Sequence, residues 1–131
     1  MKITADTNIL VRALTEDHVE QGKAAQIALA KAKLVALTMP TLCELVWVLR
    51  SYKIPSRDIA ATIRGLVNAA NVVVNRQAAD AGLAQLDAGG DFADGVIAYE
   101  GNWLGAETFV SFDRTAVKLM EAQGLSARLL S

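Results

Sequence analysis

Residues 34–49 read Leu34-Val35-Ala36-Leu37-Thr38-Met39-Pro40-Thr41-Leu42-Cys43-Glu44-Leu45-Val46-Trp47-Val48-Leu49, and this stretch decides the reading of the fold. Its first four residues are apolar without alternation, the pattern of a strand buried on both faces. Thr38 to Thr41 reads as a connection, with Thr41 placed to N-cap the next helix. That helix reads as Leu42 to Ser51. Short buried strands that feed apolar helices make parallel βα units.

The same alternation extends both ways. Upstream, Lys2 to Ala5 is a short strand candidate that ends in Asp6-Thr7-Asn8. Ile9, Leu10 and Leu14 come next at helical spacing, then an alanine-rich helix from about Asp17 to Lys33. Downstream, the chain turns between Tyr52 and Pro55. Ser56 is placed to cap a helix that carries Ile59, Ile63, Leu66 and Val67. Val72 to Val74 is a third strand and Ala78 to Leu86 a helix. Gly89-Gly90 breaks the chain before a helix from Asp91 to about Leu104. Thr108 to Phe112 is a fourth strand, Thr115 to Ala122 a helix, and Ala127 to Leu130 a fifth strand. The pattern predicts a three-layer α/β fold over residues 1–131 as a single domain. A mostly parallel central sheet of about five strands carries helices on both faces.

Composition narrows the function. With 131 residues, 53% hydrophobic and 21% charged, the chain can form one packed core and is not disordered. Thirteen Lys and Arg against fourteen Asp and Glu leave a net charge of −1, so no global basic field exists. Any nucleic-acid contact must be a local patch. One Cys and one His exclude an internal disulfide, a Cys/His zinc site and a two-histidine acid–base mechanism. The lone Cys43 fits a cytoplasmic setting and reads as a small buried hydrophobe, and His18, between Asp17 and Val19 in a charged stretch, as a solvated surface residue. No apolar run is long enough to span a membrane, and Asp6 precedes any apolar segment of a signal peptide, so neither is expected.

Ligands of open parallel sheets bind beyond the carboxyl ends of the strands. Asp6 follows the first strand and Asp113 the fourth. Asp91 and Asp94 share a face of one helical first turn, and Glu44 lies near the start of the helix after strand two. Taken singly, Asp6, Asp91 and Asp113 stand where N-caps stand, and Asp94 fits a capping box. Glu44, in a nearly all-apolar helix, needs a partner or a cation. Taken together, carboxylates about 4 Å apart repel by roughly 4 kcal/mol per pair at an effective dielectric near 20. A cluster of them is stable when protonated, neutralised by Lys or Arg, or bridged by divalent cations. All-oxygen ligation selects Mg2+ or Mn2+, ions that serve phosphate chemistry without histidine.

The set Asp6-Thr7-Asn8-Ile9-Leu10, Glu44, Asp91-Phe92-Ala93-Asp94-Gly95-Val96-Ile97-Ala98 and Phe112-Asp113 resembles the PIN-domain family, and within it the VapC-type toxins of bacterial toxin–antitoxin pairs. The resemblance covers nearly the whole chain. It implies a Mg2+-dependent endoribonuclease, a hydrolase of RNA phosphodiester bonds. Asp6, Glu44, Asp94 and Asp113 would be its catalytic quartet. Asp6 and Asp94 would be principal metal ligands, Glu44 and Asp113 would hold a second metal or orient water, and Asp91 would be an accessory ligand. Thr7 and Asn8 would fix the Asp6 loop. A homodimer and a small cognate antitoxin that occupies an apolar groove are implied as well. Gly95 stands where alanine is more usual, at a cost of roughly 1 kcal/mol to the helix.

Two other classes compete. One is a PIN-like binding module without catalysis that acts through a protein partner. The other is an α/β aspartate-dependent phosphatase, which would want a second Asp where Asn8 stands. Arg50, Lys53 and Arg57 gather at the turn near Pro55, and Arg114 follows Asp113. These are candidate RNA phosphate contacts or ordinary solvated charges. Trp47, Tyr99 and Trp103 are expected to pack in the core or a dimer contact, and Tyr52 is the better candidate for base stacking.

Overall fold

The computed structural model describes residues 1–131. The order is β1 (Lys2–Thr4), α1 (Thr7–Leu14), α2 (Val19–Lys31), β2 (Leu34–Leu37), α3 (Met39–Ser51), α4 (Ser56–Val67), β3 (Val72–Val74), α5 (Arg76–Asp87), α6 (Phe92–Trp103), β4 (Phe109–Ser111), α7 (Arg114–Ala122) and β5 (Ala127–Leu129). The protein is mixed α/β with parallel strands, as the alternation predicts. Its contacts divide it into two units, Met1–Asn75 and Arg76–Ser131.

In the first unit β1, β2 and β3 form a parallel sheet in that order. Ile3 pairs with Val35, and Val35 with Val72. Each crossover is a helix pair, the connection that parallel strands require. Val35 and Leu37 of β2 are buried, together with Leu42, Leu45, Val46 and Leu49 of α3 and Ile59 and Ile63 of α4. Each such side chain contributes about 1.5–3 kcal/mol on burial.

Helix α3 starts earlier than expected. Thr38, not Thr41, is its N-cap, and the Thr38 hydroxyl accepts the Thr41 N–H at 3.4 Å. Pro40 is tolerated there because the first-turn N–H groups have no helical partner. Helix α4 likewise has Pro55 at its cap position, without a side-chain cap, and Ser56 as its first residue. His18, exposed as expected, caps α2 by accepting the Gln21 N–H at Nδ1.

In the second unit β4 and β5 pair in parallel, Val110 opposite Arg128. The strands thus lie in two sheets, of three and of two, and each sheet is smaller than the single five-stranded one expected. Strands of three residues offer few ladder hydrogen bonds, so their grouping cannot be read from apolar runs alone. Helices α5 and α6 pack closely because glycines stand between them. A Cβ on Gly82 would lie 2.6 Å from the ring of Phe92, and one on Gly95 would lie 2.3 Å from the carbonyl oxygen of Ala81. The cost of Gly95 to its own helix is therefore offset by interhelical contact that alanine would forbid. Phe92 is fully buried.

Candidate functional site

Each unit carries its own group of acids. In the first, Asp6 is exposed beyond the end of β1, and its Oδ1 accepts the Thr7 N–H at 2.7 Å as the cap of α1. The Thr7 hydroxyl donates to Oε1 of Glu44 at 3.0 Å. Thr7 thereby ties the Asp6 cap to α3, and α1 and α3 pack against one another. Asn8, expected to help hold this loop, is exposed with no side-chain hydrogen bond. Glu44 is exposed as well, not enclosed by apolar neighbours. Pro40, Glu44, Trp47 and Ser51, at spacings of four, three and four, make up an outward line on α3 while Leu42, Leu45, Val46 and Leu49 face in.

In the second unit, Asp91 caps α6 by accepting the Ala93 N–H at 3.3 Å. Asp113 caps α7 by accepting the Ala116 N–H at 3.1 Å, and its own N–H donates to the Ser111 hydroxyl. The capping role read for these two and for Asp6 is present. Asp94 is different. It lies half-buried within the first turn of α6 and is not the cap. Burial first, then the charges of Asp91 and Asp113, push its carboxyl above the ordinary aspartate range. The charges of Asp91 and Asp113 therefore both reach Asp94.

No three Asp, Glu, His or Cys side chains stand at the mutual distances of a closed ligand set. The donors that each unit offers are nevertheless all carboxylate oxygens, the chemistry of hard divalent cations. Like-charge strain at Asp94 is also what a cation relieves. Within each unit the donors are those of a hard divalent cation and include none of the Cys or His ligands of structural zinc.

Other sequence expectations resolve differently. Trp47 is 72% and Trp103 81% exposed, so neither belongs to the core. Tyr99 is half-buried and donates its hydroxyl to Gln77. The Tyr52 hydroxyl is held by Asp17. Cys43 is half-buried. Arg50, Lys53 and Arg57 are exposed about the α3–α4 turn, and Arg114 is exposed at the start of α7.

The sequence reading missed Gln85, 1% exposed, whose Oε1 accepts from Gln123 at 2.8 Å. Its signal was its place on α5 within the inward arc of Ala78, Gly82 and Leu86. Gln85 also borders a cavity of about 740 Å³ in the second unit, lined by Ile97, Trp103, Glu107, Phe109 and Met120 among others, and not by Asp91, Asp94 or Asp113.

Compared with known proteins, the chain matches the PIN domain family over residues 3–121. No curated protein matches it. No helix is long and apolar enough to cross a membrane.

Proposed function

The chain belongs to the PIN-domain family, whose fold is generally that of metal-dependent nucleases, and on that premise we propose that it is a Mg2+-dependent endoribonuclease, the toxin of a VapC-type toxin–antitoxin pair. The observation that carries this reading is the family match over residues 3–121, and the half-buried Asp94 carboxyl, pushed above the ordinary aspartate range by burial and then by the charges of Asp91 and Asp113, supports it. Helix starts need caps, and Asp91 and Asp113 supply them. Asp94 caps nothing, is half-buried, and sits among like charges. A half-buried acid that caps nothing and whose pKa is raised by burial and by its neighbours' charges suits a cation site.

On the family resemblance, Asp6 and Glu44 of the first unit, and Asp94 and Asp113 of the second with Asp91 as an accessory, are the residues that would serve as metal ligands. When bound, the ion supplies a water of lowered pKa and screens charge on the phosphoryl oxygens. The chain's own part is positional. Asp6 is oriented by the Thr7 N–H, Glu44 by the Thr7 hydroxyl, and Asp113 by the Ala116 N–H. The family match runs through both units, which supports reading residues 1–131 as one PIN-like domain. On the same reading the partners are a cognate antitoxin, for which the apolar cavity bordered by exposed Trp103 offers a seat, and a second copy of the chain, in the cytoplasm.

The test is cleavage of total RNA by pure protein with Mg2+, with Mn2+ and with chelator. Metal-dependent cleavage that Asp6→Ala abolishes without unfolding the protein is expected. Failure of the folded wild type to cut any RNA under all metal conditions would leave the binding-module reading in its place.

A further inference from the structure

The charge of the chain is unevenly placed. Residues 1–75 hold nine Lys and Arg against six Asp and Glu, a net +3 in a protein whose total is −1. Beyond Glu44 in the sequence of that unit stand Arg50, Lys53, Arg57 and Arg64 with Asp58 as the single acid, and Asp17 joins them in space by accepting from the Tyr52 hydroxyl. A polyanion that approaches the acids of a nuclease needs such a local patch, because the molecule offers no global attraction.

The patch adjoins an aromatic face. Trp47 lies on the outward line of α3, one turn beyond Glu44, or about 4–5 Å along the axis. At 72% exposure it is a large apolar ring given to solvent from a helix whose opposite face is buried. Lys53 then occupies the left-handed position after α3, with φ 62°. Its N–H donates to the Arg50 carbonyl and the Ile54 N–H to the Leu49 carbonyl, a helix-ending turn where glycine is the usual residue. A lysine there carries backbone strain and presents a cation. Lys53 and Arg57 are both exposed and engaged in no ion pair or side-chain hydrogen bond.

We propose that the outward face of α3 and the α3–α4 turn form a binding track for single-stranded RNA, with a base stacked on Trp47 and phosphates paired with Lys53 and Arg57. The inference rests on the nuclease reading for its direction, since the track leads from Glu44. An exposed aromatic accepts any unstacked base, and the two cations fix the backbone without reading sequence. A duplex, whose bases are already stacked, would gain only the phosphate contacts.

The experiment measures binding of a short, labelled, mixed-sequence single-stranded RNA to the full chain in chelator, where it is not consumed. Trp47→Ala is expected to weaken binding at least about five-fold, and Trp47→Phe to keep most of it. Combined Lys53→Gln and Arg57→Gln should flatten the log–log salt dependence by about 0.7 per lost phosphate contact. Lys53→Arg with Arg57→Lys should restore it. All these sites are exposed, and circular dichroism confirms folding of each variant. Unchanged RNA affinity in Trp47→Ala and in the double variant would overturn the track. So would a change of oligomeric state by light scattering with RNA binding intact, which would make this face a protein contact. Metal-dependent cleavage by the wild type, assayed separately, decides the nuclease reading. RNA binding that needs the track, in a protein that never cleaves, would sustain the inference and remove the enzyme.

Discussion

The hydroxyl of Thr7 donates to Oε1 of Glu44 at 3.0 Å across 37 residues of sequence. The same residue's N–H holds Asp6. One side chain and one amide of Thr7 thus orient two acids that lie on different elements.

Thr7→Val keeps the shape and the cap N–H but removes the donor to Glu44. The bond is exposed, so stability should fall by no more than about 1 kcal/mol. Metal affinity, read by titration calorimetry, should drop about ten-fold, as happens when a group that orients a ligand is lost. Thr7→Ser should restore it. Full affinity in a folded Thr7→Val variant would mean that Glu44 is positioned by its helix alone.

Asp94→Asn should abolish metal-dependent cleavage. A carboxyl whose folded pKa is raised contributes stability below its unfolded pKa, and that contribution is lost as pH rises through the folded value. At neutral pH the ionised Asp94 is therefore a net cost. Without metal, Asp94→Asn should melt at the same temperature as the wild type or higher, by up to about 1 kcal/mol for so partly exposed a group. The gain should vanish in acid melts. A large loss of stability at neutral pH would show that Asp94 supports the helix.

Gly95→Ala improves intrinsic helix propensity by about 1 kcal/mol. It also places a Cβ 2.3 Å from the Ala81 carbonyl oxygen. Backbone cannot yield as a flexible side chain does, so a net loss of about 1–3 kcal/mol is expected in denaturant unfolding. A stabilised Gly95→Ala protein would mean that α5 and α6 can separate at little cost.

The Tyr52 phenol should titrate above its ordinary range, chiefly because its neutral form donates to Asp17. The sign is that of a raised pKa. The stabilising contribution is complete below about pH 10 and is lost as pH rises through the folded value. Ultraviolet titration of the phenolates, compared between the wild type and Tyr52→Phe, isolates this group. An ordinary Tyr52 titration would mean that the Asp17 contact does not persist in solution.

Much of this was legible in the chain itself. Leu34 to Leu37 and Val72 to Val74 are apolar without alternation, and that local pattern demands burial on both faces whatever the partners. Asp6, Asp91 and Asp113 come after strands or breaks, where a short acid satisfies free N–H groups, so their caps were readable from position. What tertiary structure alone decided has a different cause. Whether β4 and β5 extend the sheet of β1 to β3 or form their own depends on pairing between distant segments, which leaves no mark within either strand. Glycine at 95 looked like a weakness until Ala81 was placed against it, because close approach is a property of two helices and not of one. The same holds for Trp47. An aromatic in an apolar run reads as core, but α3 buries one arc only, and the angle at which it meets its neighbours left Trp47 and Glu44 in solvent together.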